Sequence, residues 1–385
     1  MLSALTMVLF IEPARGQQVR ALDFTIHQEY VSTRALGMGN AFTAVADDHS
    51  SMFYNPASLA FRKDGHLRLF VRGGTNPESL NLFKEIKAVQ DKPESEQTQA
   101  YSDLIVSHYG DHFYYRIPTI GAVWVRPNWG IALIPADLSL DVAVHRQIGP
   151  ALAINLYEDT TLAFSYAHKL KWLNKRHEMS WGVTLKSIYR IHAAESVTAG
   201  QLATGTSDVF DTSHAGEGMT VDADLALMWK PAIEGPFKYF KYMQPTFAVV
   251  GRNLADYGFK KNFHFIDDNS TEPAHLQRRI DVGSKWDLPR FWVFEPKLGV
   301  DIRDILHDNW TWKKGSHAGL EAYWRMYNWW KGHWSVGLNQ GYWTAGFGAR
   351  LAWFQLDLCS YGEEVGSSSS PQESRRYMAE LALDF

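Results

Sequence analysis

The last nine residues of the chain, Tyr377–Phe385, alternate in character with a period of two. In an extended strand, successive side chains point to opposite faces. One face is therefore apolar and ends on the terminal aromatic residue, whereas the other carries Glu380 and Asp384. This pattern predicts a strand with one face in lipid and the other in a polar lumen, as in the wall of a transmembrane β-barrel.

The same alternation recurs upstream, mostly over about ten residues, which is the length that a tilted strand needs to cross a bilayer. Its clearest examples are residues 181–190, 221–230, 279–288, 334–339, 343–351 and 354–359. Asn339-Gln340-Gly341 predicts a tight hairpin turn between two of these strands. A soluble β-sandwich also alternates, but through shorter strands. We expect an all-β fold: an antiparallel transmembrane β-barrel of roughly fourteen strands between residue 64 and the end.

Composition fits this expectation and excludes other classes. Aromatic residues make up 14% of the 385 residues and charged residues 21%, and the mean hydropathy is −0.27. Aromatic girdles around a polar interior give this combination. The net charge of −4 gives no basis for nucleic-acid binding. The single cysteine, Cys359, excludes a disulfide within the chain.

Residues 79–107 interrupt the alternation. Leu80, Phe83, Ile86 and Val89 recur at nearly helical spacing. We therefore expect a short insert of one or two amphipathic helices outside the barrel wall. Long polar segments at 195–218, 255–276, 304–314 and 361–376 predict loops, and the last of them should be extracellular.

The N-terminus contains the apolar run Leu2–Ile11, which has about the length of a signal-peptide core. Small residues at Ala14 and Gly16 would allow cleavage after residue 16. A buried helix or strand of the mature protein is the alternative, but Glu12-Pro13 would break a continuing helix. We expect residues 1–16 to be a signal peptide, although no positively charged segment precedes the run.

Residues 34–60 contain three short motifs in a fixed order: Gly37-Met38-Gly39, Ala44–Asp48 and Asn55–Ala60. This stretch resembles the N-terminal motif of the long-chain fatty-acid transporter (FadL-like) superfamily, which includes the PorV-like proteins of secretion systems. The resemblance implies that residues 17–63 form a hatch, or plug, inside a barrel formed by residues 64–385.

The resemblance also implies which residues matter in the hatch. Small residues permit close packing against a wall, and the Asp and Asn-Pro residues suit turns and helix caps. The predicted hatch residues are Gly37, Met38, Gly39, Asp47, Asp48, Asn55, Pro56 and Ala57. An ordinary loop around Gly37 and Gly39 is the alternative.

The C-terminal strand resembles the signature that the barrel assembly machinery reads in bacterial outer-membrane proteins. Its expected signal residues are Tyr377, Leu381, Leu383 and Phe385. We therefore expect location in the bacterial outer membrane, with membrane lipid, lipopolysaccharide and the assembly machinery as partners.

The sequence gives little support for catalysis or cofactor binding. Ser, His and Asp residues occur without a spaced catalytic motif, so we predict no enzyme and no cofactor. His108 and His112 have a spacing that could chelate a metal on a helix, but Gly110 weakens such a helix. We predict no metal site. Charges on the predicted luminal faces, such as Lys186 and Asp281, would either hold the plug or select solutes; we favour the first role.

Two functions remain open. The first is a passive outer-membrane channel for hydrophobic or amphipathic, fatty-acid-like small molecules, which pass the N-terminal hatch. Its candidate ligand contacts are Phe24, Met38, Phe42, Met52 and Phe53, each of which could instead only pack the plug. The second is a PorV-like scaffold with protein partners in a secretion or surface-assembly complex and no transport of its own.

Overall fold

The computed structural model describes residues 22, 24–146, 150–170, 177–198, 215–232, 243–266, 270–327, 329–367 and 369–385. The predicted signal peptide, residues 1–16, lies outside the described residues. No helix within the described ranges is long and apolar enough to span a bilayer.

Fourteen strands form one closed barrel, in which every strand pairs antiparallel with its neighbours in sequence and β1 pairs with β14. The predicted strand count is thus confirmed. The strands are β1 His66–Thr75, β2 His112–Arg126, β3 Trp129–Arg146, β4 Pro150–Lys169, β5 Glu178–Thr198, β6 Gly216–Lys230, β7 Pro245–Arg252, β8 Arg279–Asp287, β9 Phe294–Ile305, β10 Ser316–Arg325, β11 Trp330–Asn339, β12 Tyr342–Leu351, β13 Phe354–Glu364 and β14 Glu373–Asp384.

The C-terminal strand closes the barrel. The backbone N–H of Leu67 donates to the carbonyl of Phe385 at 3.0 Å, and the Phe385 N–H donates to the Leu67 carbonyl at 2.9 Å. Tyr377, Leu381 and Phe385 are exposed on the outer face. Recognition of these residues by the barrel assembly machinery stays a prediction.

The two faces of the wall differ as the alternation predicts. Outward side chains such as Leu227, Val282 and Trp343 are large, apolar and exposed. Inward side chains such as Asp281 and Glu380 are charged and buried. A continuous exposed apolar surface of this kind faces lipid. The barrel end at which β14 finishes carries short turns such as Ala352-Trp353. This end therefore corresponds to the periplasmic end of an outer-membrane barrel.

Among the described residues, five short or medium α-helices accompany the barrel. α1 (Thr33–Gly37), α2 (Ser51–Tyr54) and a 3₁₀-helix (Pro56–Phe61) precede β1, and α5 (Trp312–Gly315) precedes β10. The predicted helical insert is confirmed as a hairpin of α3 (Pro77–Gln90) and α4 (Glu94–Ser107). It lies outside the wall, against outward residues of β2, β3 and β4 such as Phe113, Val142 and Ile154.

The wall is tallest where this hairpin packs. β3, β4 and β5 have 18, 20 and 21 residues, whereas β12 has 10. About ten residues suffice to cross the bilayer. The additional residues therefore carry these strands beyond the lipid on the extracellular side.

The predicted turn at Asn339–Gly341 is also present. Gln340 and Gly341 connect β11 to β12 with φ of 53° and 84°. Positive φ at both central residues is the geometry of the two-residue hairpin that follows strand twist.

Candidate functional site

Residues 24–63, here called the luminal segment, are mostly buried and contact inward residues of the strands. The wall facing this segment is lined with glycines, whose missing side chains leave room for backbone. A Cβ at Gly319 would lie 2.1 Å from the Met38 carbonyl oxygen, and one at Gly182 would lie 2.4 Å from the Ala57 nitrogen. The segment therefore touches the wall through its main chain.

The glycines of the first motif have different tasks. Gly37 ends α1 and approaches the wall so closely that its Cβ would lie 2.7 Å from Gly346 Cα. Gly39 has φ of +65°, a conformation that favours glycine. Its N–H donates to Thr344 Oγ1 at 3.0 Å, and its carbonyl lies 3.0 Å from His317 Nδ1.

Asn55, Pro56 and Ala57 form a cap, as their residue types predict. Asn55 Oδ1 accepts a hydrogen bond from the Ala57 N–H at 3.0 Å, and its amide donates to the Thr43 carbonyl at 2.7 Å. Pro56 begins the 3₁₀-helix, where its missing N–H costs nothing. The Ala57 carbonyl accepts from Ser180 Oγ at 2.8 Å, which fixes the cap to β5.

Asp47 and Asp48 hold one arginine. Arg34 donates to Asp47 and to Asp48 at 2.8 Å each, and it binds Glu321 on β10 through two nitrogens at 2.6 and 2.7 Å. Lys297 on β9 also reaches Asp47, at 2.5 Å. We call these five residues the Arg34 clamp. A bidentate arginine–carboxylate pair is a strong, geometrically defined contact.

Other buried charges join the segment to the wall. Arg252 on β7 donates to the carbonyls of Phe53 and Tyr54 and binds Asp281 at 2.6 Å. His27 lies 3.0 Å from Asp159, which also pairs with Arg190. Arg72 and Arg279 similarly bind the Val31 carbonyl and Glu29. These buried charges therefore join the luminal segment to the wall. A role in holding a plug, rather than in selecting solutes, stays a prediction.

Four of the five candidate ligand residues share one apolar core. Met38, Phe42, Met52 and Phe53 are buried in it, and Phe53 stacks on Tyr30 with ring centroids 4.0 Å apart. Phe24 lies apart, and its carbonyl accepts a hydrogen bond from Lys314 near the extracellular end. Ligand binding by these residues stays a prediction.

This apolar core reaches the barrel wall beside a break in the hydrogen-bond ladder. It includes Phe70 on β1 and Ile134 on β3. The β2–β3 ladder stops at the Arg116–Ser139 pair and resumes only at Ala122–Leu133. We call residues 117–121 and 134–138 the wall break.

Facing bulges cause the wall break. β2 gains one residue relative to β1 near Pro118, and β3 gains one relative to β4 near Ala136. Ala136 has φ of 48°, and its N–H donates to Thr160 Oγ1 at 3.0 Å. Thr119 Oγ1 donates to the Ala136 carbonyl at 3.2 Å. Side chains therefore replace part of the missing ladder. The alternation of apolar and polar residues does not reveal this feature. Pro118 and Pro135 are a signal for it, because proline lacks the N–H donor that a ladder needs.

Polar cavities open at both ends of the lumen. One of about 560 Å³ at the extracellular end is lined by His27, Tyr157 and His192, and one of about 510 Å³ at the periplasmic end by Arg62, Arg325 and Lys331. The luminal segment and its apolar core lie between them.

His108 and His112 do not face one another. His108 binds Glu85 and Asp111 through its two nitrogens outside the wall, whereas His112 lies 2.9 Å from Ser374 Oγ inside it. No group of three or more His, Cys, Asp or Glu side chains among the described residues is placed to hold a metal.

Comparison with known proteins finds no matching family model and no matching curated protein. Solved structures are similar in overall shape. The toluene transporter TbuX of Ralstonia pickettii has 9% identity and a TM-score of 0.49, over 93% of this chain and 99% of its own. The monoaromatic hydrocarbon channel CymD has 9% identity and a TM-score of 0.42, over 94% and 98%.

The toluene transporter TodX of Pseudomonas putida has 9% identity and a TM-score of 0.41, over 93% of this chain and 98% of its own. With the TM-scores of these three structures all below 0.5, the likeness carries no argument about what this chain binds or transports.

Proposed function

We propose that this chain is a FadL-like channel-type transporter of the bacterial outer membrane, through which hydrophobic or amphipathic small molecules diffuse passively. The observation that carries the proposal is the apolar luminal core that extends to the wall break. An apolar solute favours such surroundings over the polar cavities at the two ends of the lumen.

A lateral path follows from this arrangement. The solute would pass between β2 and β3, because there the strands are not held by ladder hydrogen bonds. Ile120 is 66% exposed on the outer face of the wall break, and Phe70 and Ile134 lie on its inner side. Movement of the luminal segment would then open or close the apolar route.

Removal of the two bulges tests the proposal. Deleting Pro118 and Pro135 together takes one extra residue from each strand and removes both prolines, so that β2 and β3 can pair without interruption. We expect uptake of a hydrophobic probe, such as radiolabelled naphthalene, to fall to the level of cells without the protein. The heat-dependent gel shift of the folded barrel should persist.

Ala136→Gly is the matched control. Glycine accepts the positive φ of this position, so the bulge and the uptake should both remain. Uptake that is unchanged by the double deletion would refute the lateral path. Uptake no higher in wild-type cells than in cells without the protein would refute transport itself.

The second candidate is a PorV-like scaffold. The observation that favours it is the set of buried ion pairs that fix the luminal segment to the wall, including Arg34–Glu321 and Arg279–Glu29. A segment held in this way could be a permanent seal. In that case naphthalene uptake would be absent, and cross-linking in intact cells would recover protein partners on the extracellular loops.

A further inference from the structure

An apolar cavity of about 370 Å³ lies outside the barrel, between the α3–α4 hairpin and the wall. Outward residues of the tall strands form one side, and Leu82, Ile86 and Ile105 of the hairpin form the other. This cavity belongs neither to the lumen nor to the luminal segment.

Size makes this cavity suitable for a ligand. Ligand pockets commonly have volumes of about 300–1,000 Å³, and a dry apolar cavity of about 150 Å³ already binds benzene. The present cavity would hold a molecule with two fused rings or a chain of comparable volume. Phe83, half-exposed at the rim, meets Tyr115 edge to face at 5.8 Å.

Several polar atoms of the lining are already engaged in hydrogen bonds. Both nitrogens of His108 are bound, to Glu85 and Asp111 at 2.7 Å each. Ser79 Oγ donates to Asn76 and to the Tyr114 carbonyl. The lining contains no Lys or Arg. The protonated His108 is already paired with Glu85 and Asp111, so a carboxylate would find no unpaired cation there and would meet the negative charges of these two residues.

The position of the cavity relates it to the wall break. Tyr115 and Leu140 line the cavity and pair with each other across β2 and β3. The next pair, Arg116–Ser139, is the last one before the ladder stops. A molecule that leaves the cavity along the wall thus reaches the wall break at once.

We infer that this cavity binds an uncharged hydrocarbon taken up from the surroundings of the cell and delivers it to the wall break. The inference deepens the proposed function and rests on it for the delivery step. It narrows the ligand class from amphipathic, fatty-acid-like molecules to neutral ones.

Equilibrium binding to the full-length protein in phosphatidylcholine nanodiscs tests this inference. The probes are radiolabelled naphthalene and 2-naphthoate, which share their rings and differ by one carboxylate, with empty nanodiscs to subtract partition into lipid. We expect saturable naphthalene binding and at least tenfold weaker binding of 2-naphthoate. Equal binding of the two probes would overturn the assignment of a neutral ligand.

Leu152→Trp, which fills the cavity from β4, should weaken naphthalene binding at least tenfold. Leu162→Trp is the matched control, because Leu162 lies on the same strand and is 50% exposed on the lipid face. Should Leu152→Trp lose the heat-dependent gel shift, Val144→Phe fills the same cavity from β3. Binding by the filled variants that equals the control would overturn the site.

Two further outcomes separate this inference from the proposed function. In the first, the wild-type protein binds naphthalene, Leu152→Trp abolishes this binding, and the wild-type protein gives cells no naphthalene uptake. This result would support the site and refute transport. Full uptake by a Leu152→Trp variant would refute delivery through the cavity and leave transport standing. A lipid retained after delipidation, together with no naphthalene binding, would show that the cavity holds a membrane acyl chain and would overturn the inference.

Discussion

Replacement of Arg34 by methionine should release the luminal segment while leaving the barrel closed. Methionine keeps much of the length of the side chain and removes its charge. Glu321, whose side chain has no solvent exposure, then loses both short contacts with the guanidinium. Its remaining cation is Lys297, 3.9 Å away.

The magnitude follows from the burial of the partner. Removal of one member of a buried ion pair costs about 3–5 kcal/mol, because the other charge is left uncompensated. Lys297 lies within reach of Glu321, and the Asp47 side chain is 45% exposed and can be hydrated. We therefore expect a cost near the lower end, about 3 kcal/mol, which corresponds to a change of about 150-fold in the docking equilibrium.

Amide hydrogen exchange measures this change directly. The N–H groups of Gly39 and Thr43 donate to Thr344 and Asp301 on the wall, so they exchange only when the luminal segment leaves it. Both should exchange about 150-fold faster in Arg34→Met. Arg290→Met is the control, because Arg290 belongs to an exposed pair with Glu295, of the kind worth about 0–1 kcal/mol.

The double variant Arg34→Met/Glu321→Met tests whether the uncompensated charge of Glu321 causes the release. It removes both charges of the pair, so it should exchange more slowly than Arg34→Met alone. If the amide exchange rates in Arg34→Met stay within about threefold of the wild-type rates, the proposed role of the clamp is contradicted. It is also contradicted if the free-energy costs of the two substitutions add in the double variant.

Five other variants have defined outcomes. Gly319→Ala should push the luminal segment off the wall at a cost of about 1–3 kcal/mol, seen as faster proteolysis of that segment. Leu227→Arg should destabilise the barrel in urea by about 2–4 kcal/mol by placing a charge in lipid. Ala226→Arg, although inward, should also be costly, because Ala226 packs against the luminal segment; its effect should appear in proteolysis. Burial opposes protonation of His108, but its two carboxylate partners outweigh burial and raise its pKa. The α3–α4 hairpin should therefore be most protected from amide hydrogen exchange below about pH 6.5, and it should lose this protection as the pH rises through the raised pKa of His108. His108→Gln should show no such pH dependence. Deletion of Phe385 should lower the yield of assembled barrel without lowering synthesis.

Local patterns in the sequence predicted much of the fold. The alternation in Trp343–Leu351 and Tyr377–Phe385 identified outward and inward faces, and both hold in the structure. Helical spacing after residue 79 predicted the insert, although α3 begins at Pro77, because proline is favoured in the first turn of a helix. The motif around Gly39 predicted close packing against the wall, the motif around Asn55 predicted a cap, and the structure contains both.

The sequence by itself could not determine the partners of these residues. Alternation places Asp281 in the lumen, but only barrel closure and strand register bring it to Arg252. Likewise, only the fold of the luminal segment brings Arg34 to Glu321, which is 287 residues away in the sequence. The wall break depends on bulges in two strands that face one another, and the cavity beside it depends on a helical hairpin packing on strands that continue beyond the bilayer. Side-chain periodicity is a local property that each strand carries alone, whereas pairing, bulge alignment and enclosed volume arise only when all fourteen strands close into one barrel.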